Sequence, residues 1–136
     1  MYLLDTNVLL EAQLGQARQQ ESLALLERLQ QGAVQAVISD FQIDSILLIL
    51  EREGHNRKIM QDFLLSLSLY QGLRIYFLSL LDRLKALEHA DHFGIDFEDA
   101  IAVQACVANG IKEIVSFDRH FDKVKILKRI YPREAK

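Results

Sequence analysis

The chain has 136 residues, of which 50% are hydrophobic and 26% charged. These are the proportions of an ordinary globular domain, and they exclude a disordered chain, a coiled coil or a collagen-like rod. The formal net charge of −3 argues against indiscriminate binding to nucleic acid. The longest apolar run, Ile46–Leu50, is far below the roughly 18 residues a spanning helix needs. The N-terminus lacks the basic-then-apolar order of an export leader. With Cys106 as the only cysteine, the expectation is one cytoplasmic domain over residues 1–136, without a membrane segment or internal disulfide.

Tyr2–Leu4 is a short apolar run ending at Asp5 and predicts a first strand, followed by a short helix over Thr6–Ala12. Leu23, Leu25, Leu26 and Leu29 carry a helical period that stops at Gly32. Ala33–Ile38 predicts a second strand, and Ser39 or Asp40 caps a helix that runs to Glu53. A helix from Asn56 to Leu67 and a strand over Leu73–Leu78 follow. Ser79 opens a helix that reaches His92, and Asp96 opens the next one over Phe97–Asn109. Ile114–Phe117 predicts the fourth strand, with an edge strand over Lys125–Leu127. Strands alternating with helices predict an α/β fold: a mostly parallel sheet of four or five strands covered on both faces. Functional sites of such folds lie beyond the C-terminal strand ends.

Four carboxylates stand out in this frame. Asp5 and Asp118 each follow a predicted strand, and each also reads as a helix cap. Asp44 has Phe41, Leu47 and Leu48 as helical neighbours, an apolar setting that is costly for an unpartnered carboxylate. Asp99 faces Ala102, Val103 and Cys106, and also stands at the third position after the Asp96 cap, as in a capping box. A parallel sheet can gather all four at one edge. Clustered carboxylates repel and raise one another's pKa unless a divalent cation lies between them. Oxygen donors without a His/Cys cluster suit Mg²⁺ or Mn²⁺. Such an ion activates water and clamps a scissile phosphate.

LLDTNVLL, ISDFQIDSILLILEREG and DFEDAIAVQACVANGIKEIVSFDRHFDKV, in this order, resemble the PIN-domain family of metal-dependent nucleases. The likeness is greatest to the small stand-alone members, which include the VapC-type toxins of toxin–antitoxin pairs. The resemblance implies a three-layer α/β/α sandwich and Mg²⁺- or Mn²⁺-dependent cleavage of RNA. It also implies a homodimer and a cognate antitoxin. It assigns metal-binding and catalytic roles to Asp5, Asp99 and Asp118, with supporting hydroxyls on Thr6 and Ser116. Asp44 falls where the family usually has Glu, five residues after a serine. The side chain is one methylene shorter, which leaves open full activity or weakened metal binding. A second reading is therefore a PIN-like binding or assembly module with weakened catalysis. Phosphotransfer on a doubly wound fold lacks its motif, because Asp5-Thr6-Asn7 is not Asp-x-Asp.

Residues 119–136 carry seven Lys or Arg and two acids, so the remaining chain has a net charge of −8. The tail is a basic rim for an acidic site or a solvated segment. On the first reading Lys123, Lys125, Lys128 and Arg129 contact RNA phosphates. Cys106 reads as core, His89 and His92 as a solvated helix end, and His120 as a candidate phosphate contact. The Leu-rich stretch 63–81 reads as core or dimer surface.

Overall fold

A computed structural model describes residues 1–136. Five strands, β1 (Tyr2–Leu4), β2 (Ala36–Ser39), β3 (Leu73–Tyr76), β4 (Glu113–Val115) and β5 (Lys128–Ile130), form one all-parallel sheet in the order β3-β2-β1-β4-β5. Six helices connect them: α1 (Thr6–Leu14), α2 (Gln19–Gln30), α3 (Asp40–Arg52), α4 (Arg57–Leu67), α5 (Leu80–Phe93) and α6 (Phe97–Ala108). The α/β class and the helix order are those expected from the sequence. No helix is long and apolar enough to cross a membrane.

The pleat divides the core into layers, because successive strand residues point to opposite faces. Tyr2, Leu4, Ala36, Ile38 and Val115 pack with buried residues of α1–α4. Leu3, Val37 and Ile114 pack with Ala102, Val103, Ala105 and Cys106 of α6. Leu78 and Ala86 join Ala100 and Ile101 of α6 in a smaller cluster. The chain moves outward from β1 through β2 to β3, then returns to the other side of β1 as β4. The switch point of the sheet therefore lies between the C-terminal ends of β1 and β4.

Several boundaries differ from the sequence reading: α1 runs on to Leu14, β3 ends at Tyr76 and not Leu78, β4 covers Glu113–Val115 and not Ile114–Phe117, and two strand starts move by three residues. Strand β2 starts at Ala36, not Ala33, because the backbone of Val34 passes the start of β3 at Gly72. A Cβ at Gly72 would collide with the Val34 carbonyl oxygen, so only glycine permits that approach. The edge strand is Lys128–Ile130, three residues after the expected segment. A 3₁₀ turn over Arg119–Lys123 and the burial of Val124 use the intervening residues.

Helix α6 is held to α5 by a buried polar network. Burial pushes the Asp82 carboxyl up, but hydrogen bonds from Ser79, Gln104 and Tyr76 outweigh it and hold the pKa at about 2. The Gln104 amide donates to Asp82 at 2.8 Å, and its oxygen lies 2.9 Å from His89 Nε2. Asp82→Ala leaves the buried Gln104 amide without its acceptor. The expected loss is about 2–4 kcal/mol of unfolding free energy, read by urea denaturation at neutral pH. The loss shrinks as pH falls from about 4 toward about 2, where the native carboxylate becomes protonated.

Candidate active site

Asp5 ends β1 in an extended conformation and caps α1. Its Oδ1 accepts from the Thr6 backbone N–H at 2.8 Å and from the Thr6 hydroxyl at 3.3 Å. Its Oδ2 accepts from the Ser116 hydroxyl at 2.6 Å. The Ser116 oxygen in turn accepts from the Asn7 amide at 3.2 Å and the Asp118 N–H at 2.9 Å. With both acceptor positions of Ser116 used, its single proton points to Asp5. Asn7 Oδ1 also accepts from the Phe117 N–H at 3.4 Å, which ties the loop after β4 to the start of α1.

Asp99 reaches the same place from the first turn of α6. Asp96 accepts from the Asp99 N–H at 2.9 Å, but the Asp99 carboxylate does not return to the cap, so no capping box forms. Asp118 follows β4 and accepts from the His120 N–H at 2.8 Å, as a cap of the 3₁₀ turn. His120 Nδ1 lies 3.2 Å from Asp118 and 3.5 Å from Asp99. Ligand atoms of Asp99, Asp118 and His120 all lie within 4.8 Å of one another, a spacing that one cation can bridge. Asp5, Thr6, Asn7, Asp96, Glu98, Asp99, Asp118 and His120 line a single pocket of about 190 Å³ with no apolar residue.

Burial, with the charges of Asp99 and Asp118, pushes Asp5 up to about 7 against the opposing hydrogen bonds of Ser116 and Thr6. Burial, Asp96 and Asp118 raise Asp99 to about 6, against the attraction of His120. No lysine or arginine lies within salt-bridge distance of Asp5, Asp99 or Asp118. Protonating Asp5 would set a new O–H against the donors that already point at it. A hard divalent cation relieves both the repulsion and this mismatch, and the oxygen-rich donor set fits Mg²⁺ or Mn²⁺.

The structure brings together Asp5, Thr6, Asp99, Ser116 and Asp118, but not Asp44. That carboxylate is exposed and lies on a separate groove with Leu47, Leu48, Glu51 and Met60. The apolar burial expected for it is absent. The α3 side chain that reaches the end of β1 is Gln42, which is buried. Its Oε1 accepts from the Ser39 N–H at 2.9 Å, and its amide donates to the Leu4 carbonyl at 2.9 Å, beside Asp5. The Ser39-x-x-Gln42 capping box is the local signal for this inward face. Asn7 and Glu98 also belong to the site, although nothing in their sequence context singles them out. The Glu98 carboxylate accepts from the Ser45 hydroxyl at 2.8 Å and ties α6 to α3.

The basic tail also divides. Lys123 donates to the Gly94 carbonyl at 2.7 Å near Asp99 and His120. Lys128 pairs with Glu113 at the opposite, N-terminal end of the strands. Arg129 is largely buried and is tied to Asp122 at 2.7 Å and to the Ser116 carbonyl at 3.2 Å. Lys125 is exposed.

A parallel α/β/α sandwich with converging carboxylates at its switch point defines a doubly wound protein with an acidic pocket whose oxygens could hold a divalent cation. Residues 2–127 match the PIN domain model, and the chain belongs to the PIN-domain family. No curated protein is a significant match to the sequence. Among solved structures, the fold is similar to that of Mycobacterium tuberculosis VapC20, described as a sarcin–ricin loop cleaving toxin. The TM-score is 0.74 at 18% identity, over 91% of this chain and 95% of that one. It is also similar to a toxin–antitoxin complex from Klebsiella pneumoniae, with TM-score 0.72 and 17% identity over 97% and 98%. The third is VapBC2 from Rickettsia felis bound to a promoter DNA fragment, with TM-score 0.72 and 17% identity over 96% and 97%.

Proposed function

We propose that this protein is a cytoplasmic Mg²⁺- or Mn²⁺-dependent endoribonuclease and the toxin partner of an antitoxin. The observation that carries the reading is the convergence of Asp5, Asp99 and Asp118 in one apolar-free pocket without a balancing lysine or arginine. Membership of the PIN-domain family and similarity in fold to toxins solved with their antitoxins support it. Asp5, Asp99 and Asp118 would hold the cation, with His120 at the rim. The cation would supply charge neutralisation at the scissile phosphate and an activated water. Ser116 and Thr6 orient Asp5, and Asn7 fixes Ser116, so the first ligand is set before any ion arrives. Incubation of the protein with RNA in Mn²⁺ and in chelator tests the reading. Metal-dependent cleavage supports it, whereas RNA binding without cleavage in Mn²⁺ favours the binding-module reading.

The proposal includes a homodimer, supported by the outward face of α5. This helix buries only Asp82 and Ala86, while Leu80 is 81% exposed, Leu84 62% and the preceding Phe77 72%. An apolar helix face of this kind is a frequent interaction surface. Leu80→Asp with Leu84→Asp is expected to convert the dimer to monomer at micromolar concentration while keeping the native circular dichroism spectrum. Sedimentation velocity reads the mass, and a wild-type chain that sediments as a monomer would count against the dimer.

A further inference from the structure

Beside the acidic pocket lies a second cluster of opposite sign. Phe117 stands between Ser116 and Asp118, and its ring centroid is 6.3 Å from that of Tyr131. The Arg18 guanidinium lies 4.7 Å over Phe117 and 5.4 Å over Tyr131. Arg129 and Arg133 lie over Tyr131 at 4.7 Å and 5.1 Å. Arg129 holds the Tyr131 hydroxyl below its usual pKa, and Arg119 follows Phe117 by two residues.

Only Arg129 of these four arginines pairs its guanidinium with a carboxylate, while Glu11 and Glu21 accept from the backbone N–H groups of Arg18 and Arg133. Arg18, Arg119 and Arg133 are exposed and form no salt bridge. Gathering like charges on one pair of rings costs Coulomb energy, and cation–π contact offsets only part of it. A polyanion offsets the rest. The cluster adjoins the carboxylates, because Phe117 lies in the chain between Ser116, which donates to Asp5, and Asp118, which lines the acidic pocket. A chain of phosphates can thus cross from the guanidiniums to the cation pocket.

We infer that Arg18 and Arg133, ordered on Tyr131 and Phe117, form a subsite for a nucleotide of single-stranded RNA next to the scissile phosphate. The inference rests on the ribonuclease reading and gives its substrate a path. Guanidinium edges bind the flanking phosphates. The guanidiniums of Arg18 and Arg133, which lie over aromatic rings, offer stacking partners for a base. This path replaces the tail lysines as the principal contact: Lys128 is at the far end of the sheet and Arg129 is engaged internally. An acidic protein segment would satisfy the charge but not the stacking planes.

The test uses the full chain and a fluorescein-labelled single-stranded RNA of about 12 nucleotides. Binding is measured in chelator at several salt concentrations, and cleavage is measured in Mn²⁺. Arg18→Gln with Arg133→Gln is expected to weaken binding by at least about tenfold. It should flatten the log–log salt slope by about 0.7 for each phosphate that is no longer neutralised. Arg18→Lys with Arg133→Lys should keep the slope but still weaken binding, since an ammonium does not stack as a guanidinium does. Tyr131→Ala should weaken binding roughly 5- to 150-fold. The Mn²⁺-induced rise in melting temperature should be the same in every variant, which reports an intact fold and cation pocket. The inference is overturned if the Gln variant keeps wild-type affinity and slope. It is also overturned if the Lys variant binds as wild type, or if polyglutamate competes as well as RNA. A wild-type protein that neither binds nor cleaves RNA overturns the ribonuclease reading itself, and this result is seen before any variant is made.

Discussion

Asp5→Asn is expected to reduce Mn²⁺-supported RNA cleavage on the order of 1,000-fold, the several kcal/mol that a correctly held Lewis acid contributes to the transition state. The substitution removes a negative charge from the most buried of the three carboxylates. It also removes one acceptor: an amide offers one oxygen and one NH₂, so either the Ser116 hydroxyl, whose oxygen already accepts from Asn7 and Asp118, or the Thr6 N–H would face a donor. Asp44→Asn should leave cleavage at the wild-type level, because Asp44 lies on a separate exposed groove. Single-turnover cleavage with saturating protein separates the two variants. The site assignment fails if Asp5→Asn cleaves at the wild-type rate or if Asp44→Asn is the more damaging change.

In chelator, thermal stability is expected to fall as pH rises from about 4 to about 7, by on the order of 10 °C, and then to level off. The sign follows from the raised carboxyls. Asp5 is pushed to about 7 and Asp99 to about 6, whereas the unfolded chain returns both to about 3.8. Between these limits the native state binds more protons than the unfolded state, and stability declines with pH. Asp99→Asn removes one repelling charge from the pocket, so it should raise the melting temperature at pH 8 and reduce the slope. Mn²⁺ should restore stability to the wild type at pH 8 and act little near pH 4, where protons compete for the same oxygens. Calorimetry across this range checks both statements. A melting temperature that rises with pH in chelator would show that these carboxylates are caps or ion-pair partners and not a repelling cluster.

Three acids were legible in the chain because each is placed by local structure. Asp5 and Asp118 follow short apolar strands, and Asp99 lies one turn into a helix opened by Asp96. Strand alternation with helices likewise specified a parallel sheet, since parallel strands need helical crossovers. Position 44 was decided by tertiary structure. The amide of Gln42 is pinned to the Leu4 carbonyl, and two residues further on an α-helix is about 200° around its axis, so Asp44 is turned to the other side. Asp44, Leu47 and Leu48 all border one open groove, with Leu47 half-buried against the core and Leu48 exposed, and sequence periodicity does not distinguish such a stripe from a buried one. The arginine cluster was equally hidden. Arg18 and Arg133 are more than a hundred residues apart and meet on Tyr131 because the C-terminal turn Pro132–Glu134 packs against α2. Local sequence determines which residues end an element, because caps and strand ends depend on near neighbours. Which helix face turns inward, and which distant charges share a surface, depends on the packing of the whole sheet.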